Sequence, residues 1–179
     1  MKMLLRLAGW IDAMNTRIGR IAVWLILLSC LVSAVNASLR YAFDMGSNAW
    51  LELQWYMFAG VVLLGAPYVL KMNEHVRVDI LYSRLKPRAQ ATLDLVCMIV
   101  FLMPGVIFLA WASVPTVLTS YATGEMSGNA GGLIRWPVKA LLPIGFGLLA
   151  IQGVSEIIKR IGFLMNIYEM DTHYERPLQ

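Results

Sequence analysis

Residues 95–124 read LVCMIVFLMPGVIFLAWASVPTVLTSYATG, an unbroken run of thirty positions without a charged side chain. A hydrocarbon core about 30 Å thick is crossed by roughly 20 helical residues, so this run belongs in a bilayer. It is too long for one upright span and too short for two. The span is expected at about 90–112, with the remainder as an extracytoplasmic segment leading to Trp136. Three more uncharged runs cover 21–39, 53–70 and 140–155. The first two fit a span directly. The last reaches span length once Pro137, a natural first-turn residue, opens the helix and Glu156 and Lys159 extend to the headgroups.

The expected fold class is all-α integral membrane, with four spans at about 21–39, 51–70, 90–112 and 137–158 inside a membrane domain of 21–160. Composition agrees. Of 179 residues 59% are hydrophobic and 15% charged, and mean hydropathy is +0.64. That much apolar surface cannot be hidden inside one small water-soluble globule. Disorder, collagen and a disulfide scaffold are excluded by the same figures.

The net charge of +4 comes from cations clustered between the apolar runs, the pattern that sets membrane orientation rather than nucleic-acid binding. Twelve Lys and Arg residues fall in the N-terminal segment, the loop after span two and the C-terminal tail. Only Arg40, Arg135 and Lys139 fall on the other side. Both termini are therefore expected in the cytoplasm. Val35-Asn36-Ala37 resembles a signal cleavage site, but the twenty residues ahead of the first run make a long leader, so an uncleaved span is expected.

In residues 1–20, Leu4, Leu7, Ile11, Met14 and Ile18 recur at helical spacing with Arg6, Arg17 and Arg20 off that stripe. This predicts an amphipathic helix in the membrane interface, the alternative being a cytosolic extension of span one. Residues 161–179 form a cytoplasmic tail. The pair Pro104-Gly105 predicts a kink in span three, because proline deletes one backbone hydrogen bond.

Little in the sequence could carry chemistry. A haem between helices needs axial ligands at membrane depth, and the only histidines, His75 and His173, lie in a loop and the tail. Gly128 to Gly132 lacks the strand-to-helix context of a nucleotide loop. Cys30 and Cys97 read as small hydrophobes in helix packing. A proton-coupled carrier needs an ionisable group within a span, whereas Glu52, Asp94 and Glu156 all stand near span ends. No enzyme, cofactor or metal is expected.

Packing surfaces are easier to find. Ser29, Ser33 and Ala37 make a small-residue stripe, and Gly60, Gly65, Gly145 and Gly153 also allow close helix approach, within the bundle or against a partner subunit. Arg40 and Glu52 close one span and open the next, so a pair between them is expected, either solvated or semi-buried and fixing the hairpin. Five cations in 71–88 would attract anionic lipid.

These pieces assemble into a pattern. Leu39-Arg40-Tyr41-Ala42-Phe43, then Trp50-x-Glu52, then NEHVRVDIL from Asn73 to Leu81, resemble the small permease (Q) subunit of tripartite ATP-independent periplasmic (TRAP) transporters. The segment 125–139 looks like the branch often labelled mannitol/chloroaromatic-type. Many members carry two adjacent acids where this chain has Leu51-Glu52.

The resemblance implies a non-catalytic scaffold in the bacterial inner membrane, packed beside a large permease subunit. That subunit would move an organic acid with sodium, so sodium coupling is expected there and not in this chain. A periplasmic binding protein would deliver the substrate. Arg40, Trp50, Glu52, His75, Arg77 and Asp79 are the candidate residues for subunit docking or helix anchoring. The segment 125–139 would touch the binding protein or act as a plain connector. The alternatives from other classes are an independent small four-helix transporter and the membrane anchor of a respiratory complex.

Overall fold

The fold was analysed in a computed structural model of the chain, which describes residues 1–73, 82 and 85–169. Four helices account for most of them: α1 (Lys2–Phe43), α2 (Asn48–Met72), α3 (Pro87–Ala122) and α4 (Trp136–Leu164). All four are long and apolar enough to cross a membrane. The connections follow local chemistry. Asp44 ends α1 in a left-handed conformation, φ 52°, and its N–H caps the Leu39 carbonyl. Asn73 ends α2 in the same way at φ 60°. Proline stands in the first turn of both α3 and α4, where its missing N–H costs no helical bond.

Two helices run past the bounds of the spans expected within them. The segment 1–20 is not a separate helix but the start of α1, which runs 42 residues without a break. At 1.5 Å per residue that is about 63 Å, twice the thickness of the hydrocarbon core. Ala8, Asn15, Gly19 and Ala22 on this half are buried, because they pack on α2 and α4. A Cβ built on Gly19 would fall 2.7 Å from the Tyr68 ring. The apolar residues Leu4, Leu7 and Met14 remain exposed on the outer side, beside Trp10. Similarly, α3 does not stop near residue 112. It continues to Ala122, since nothing between 113 and 122 is charged and Thr123 still bonds back to the Thr119 carbonyl at 2.9 Å.

The expected disturbance at Pro104 takes the form of a π-helical turn over Met98–Leu102, with the Met103 N–H bonded to the Met98 carbonyl. Widening the turn accommodates a ring that would collide with the carbonyl four residues back.

Helix α4 is the hub. It packs on α1, α2 and α3, and α1 packs on α2, while α3 is attached mainly through α4. The two ends of the described chain meet at one end of the bundle, where a Cβ on Gly162 would touch Leu5 and Met1. Most of the small residues that suggested docking serve these internal contacts: Gly60 faces Leu25 and Leu141, Gly65 faces Ala22, and Gly153 faces Met103.

Gly145 is the tightest of them, since an added Cβ would stand 2.7 Å from Leu63 Cβ and 2.9 Å from the Leu63 carbonyl oxygen. Gly145→Ala is therefore expected to force α2 and α4 apart and to cost about 1–3 kcal/mol. This would be read as a lowered melting temperature in detergent. Gly147→Ala, which meets nothing within 4 Å, should stay within about 0.5 kcal/mol of the parent.

Candidate functional site

Two polar constellations organise the bundle, one at each end. At the end where the two ends of the described chain meet, α4 carries Gln152, Ser155, Glu156, Lys159 and Arg160, spaced three and four residues apart so that they share one side of the helix. All five are buried. Asp12 of α1 accepts on Oδ1 from Gln152 Nε2 and Ser155 Oγ, both at 2.8 Å, and on Oδ2 from Lys159 Nζ at 3.0 Å. Lys159 also pairs with Glu156 Oε1, whose other oxygen takes Arg160 Nη1 at 2.6 Å. Arg160 Nη2 then reaches Asp94 Oδ2 of α3 at 3.2 Å, where the Tyr82 hydroxyl also donates.

The cluster extends along α1. Asn15 donates to Gln152 Oε1 at 2.7 Å, and Thr16 receives Lys71 of α2 at 2.6 Å. Residues of all four helices thus join one chain of hydrogen bonds and ion pairs. Glu156 was expected to sit where ordinary solvation suffices. Instead it is 4% exposed and is satisfied by donors of its own chain.

At the opposite end the organiser is Glu52, also 4% exposed. It does not pair with Arg40. Its Oε1 accepts from Ser127 Oγ and from Asn129 Nδ2 (2.8 Å), and its Oε2 accepts the Leu133 backbone N–H (2.7 Å). One turn to either side, Asn48 donates to the Ala130 carbonyl and Tyr56 to the Ile134 carbonyl. The i, i+4, i+8 face of α2 therefore grips the loop between α3 and α4 along its length.

The loop helps to shape itself. Ser127 N–H bonds to Leu133 O and Arg135 N–H to Glu125 O, each at 2.9 Å. Gly131 turns the chain at φ 71°, a conformation that favours glycine. At the base Lys139 bonds the Glu125 carboxylate and holds that carboxyl below its ordinary range. Tyr121 and Trp136 close the base edge to face, ring centroids 5.5 Å apart.

A family model described as "Tripartite ATP-independent periplasmic transporters, DctQ component" matches residues 29–162. The chain belongs to this family. It is a multi-pass membrane protein and a transporter component rather than an enzyme. A similar protein is the "Putative TRAP transporter small permease protein" of Haemophilus influenzae, 29% identical over 82 residues, which is 46% of this chain and 51% of that protein. The chain thus spans about half the length of the curated relative it matches. No solved structure matches.

Of the candidate residues, Glu52 lies at the centre of the loop clamp, while Trp50 stands half-exposed in the first turn of α2. Arg40 forms no ion pair with any described residue. His75, Arg77 and Asp79 lie outside the described residues. On the small-residue stripe Ser29 is half-buried, but Ser33 and Ala37 are exposed. Both cysteines are exposed and free. The α4 cluster was missed in the sequence, although its signal is a polar stripe at 152, 155, 156 and 159, matched by Asp12 and Asn15 on α1.

Removing one partner of a buried ion pair leaves an uncompensated charge. Glu156→Ala is expected to lower stability by about 3–5 kcal/mol, measured by thermal unfolding in detergent. At the other end, Glu52→Ala should leave the helical content unchanged and make the loop at 125–135 cleavable by added protease. The Glu125–Lys139 tie has its own pH signature. Its folded carboxyl titrates below the unfolded value of about 4.3. Its contribution is therefore complete above that value and disappears as pH falls through the lowered folded one. Protease sensitivity of the loop should rise only in that acid range.

Proposed function

We propose that this chain is the non-catalytic small membrane subunit of a sodium-driven tripartite transporter for organic acids. It sits in the bacterial inner membrane with both termini in the cytoplasm. Its partners are a large permease subunit, which it scaffolds, and a periplasmic substrate-binding protein. The observation that carries this reading is how the buried acids are used. Glu52 and Glu156 have both oxygens engaged by donors of the same chain. A coupling site must instead release its partners to bind and free an ion. Acids held in this way brace helices and a loop.

The twelve-to-three distribution of Lys and Arg supports the orientation, in which the clamped loop faces the periplasm. There the loop offers a fixed surface for a soluble partner, as a stationary support beside a moving element would require.

The test is reconstitution. Vesicles holding this chain alone should accumulate no organic acid under a sodium gradient. Vesicles that also hold the co-purifying large permease, supplied with the binding protein, should do so. Gradient-driven accumulation by this chain alone would overturn the reading, as would failure of a large membrane protein to co-purify with the tagged chain.

A further inference from the structure

At the loop end of the bundle, between the close of α1 and the opening of α2, lies a small cavity lined by Asn36, Arg40, Asp44, Gly46, Ser47 and Asn48. Asn48 holds the Ala130 carbonyl, but the side chains of Asn36, Arg40, Asp44 and Ser47 make no hydrogen bond or ion pair among the described residues. The stem of Arg40 runs along Gly46, where an added Cβ would stand 3.8 Å from Arg40 Cγ and Cδ. Its guanidinium has no partner among the described residues.

Ser47 begins α2 in extended geometry and makes no side-chain cap. The first-turn N–H groups and the positive end of the helix dipole are thus left without a side-chain acceptor. Asn36 is the second, independent sign of a ligand. It is only 8% exposed, lines the cavity, and makes no side-chain hydrogen bond among the described residues.

The charges narrow the choice of ligand. Arg40 and the α2 N-terminus suit a phosphate. Asp44 lines the same cavity, is exposed, and has no ion pair among the described residues. A simple anion would face repulsion from Asp44 and a simple cation from Arg40. A ligand carrying both charges satisfies each.

The site stands where the uncharged runs 21–39 and 53–70 end, at the depth of lipid headgroups. Leu51 of α2 also lines it and is 39% exposed, and Val35, next to Asn36 on α1, is exposed as well. The exposed small residues Ser33 and Ala37, neighbours of Asn36 and Arg40 on the helix surface, leave a shallow track for an acyl chain. We infer that this cavity holds the headgroup of a zwitterionic phospholipid of the phosphoethanolamine type. Its phosphate lies on Arg40, Asn36 and the start of α2, and its ammonium on Asp44.

The test is native mass spectrometry of the full chain, alone and in its membrane complex, after delipidation and addition of defined lipids. Phosphatidylethanolamine should be retained several-fold more than phosphatidylglycerol or phosphatidylcholine. Arg40→Gln should abolish that retention. Asp44→Asn should bring the ethanolamine-to-glycerol ratio to parity or below.

Arg40→Lys keeps the charge while losing the planar fork, and its retention should fall several-fold without loss of helicity. It decides the matter if Arg40→Gln fails to fold. Unchanged lipid preference in Arg40→Lys and Asp44→Asn would overturn the site. Equal binding of water-soluble glycerophosphoethanolamine would overturn a lipid as the source. Loss of the lipid when the large membrane partner is bound would make the cavity a protein interface and end the proposal.

Discussion

A charge buried in a bilayer protein has to find its counter-charge within the protein, and the arrangement of α4 follows from that requirement. Asp12, Asp94, Glu156, Lys159 and Arg160 come from three helices and interlock through contacts of 2.6–3.2 Å together with the close Lys159–Glu156 pair. Desolvation consumes much of what such pairs gain, so they are weak evidence of net stability. Their effect on specificity is larger. Sliding α1 or α3 by one turn along α4 would strand a carboxylate or a guanidinium in the interior, at a cost of several kcal/mol. The cluster therefore fixes the register of helices that apolar contacts alone would hold loosely, because lipid competes with apolar side chains on equal terms.

The opposite end solves a related problem with a single acid. A loop with several glycines between two long helices would ordinarily sample many conformations. Here Glu52 takes one backbone and two side-chain donors from it, while Asn48 and Tyr56 hold two carbonyls. The turn-rich composition that made 125–139 readable as a plain connector is compatible with a loop that has one shape. Its order comes from α2 together with the loop's own bonds, Ser127 N–H to Leu133 O and Arg135 N–H to Glu125 O.

The four spans were legible because lack of charge over 16–30 residues is a strong signal that needs no tertiary information. Helix ends were less so. Ser113, Thr116, Thr119 and Ser120 look like a loop to the eye, yet serine and threonine inside a bilayer helix can bond to carbonyls of the preceding turn, as Ser113 does to Ala110. The α4 cluster escaped because each acid was judged by its distance from the end of an uncharged run. The informative quantity was the angle around the helix: polar residues at 152, 155, 156 and 159 share one side, while Val154, Ile157 and Ile161 lie off it. A polar stripe beside apolar faces in a membrane helix has to turn inward. The Arg40–Glu52 pair failed for a different reason. Nearness in sequence suggested a partner, but Glu52 faces a loop some 75 residues further along, which only the packing of α3 and α4 on the bundle brings within reach.

Rigidity at both ends has a consequence for the middle. Between the cluster and the clamp, α1 and α3 present wide apolar faces, including Trp24, Phe101, Phe108 and Trp111, with α3 attached mainly through α4. In lipid such faces carry no preference by themselves, since acyl chains and leucine side chains are equally apolar. A partner gains from meeting them when their relative positions are already set, because association then orders fewer groups. In the proposed transporter, a support that shifted with its load would dissipate the motion it is meant to oppose. Ionic ties at one end and a clamped loop at the other supply the fixed spacing that a stationary subunit needs.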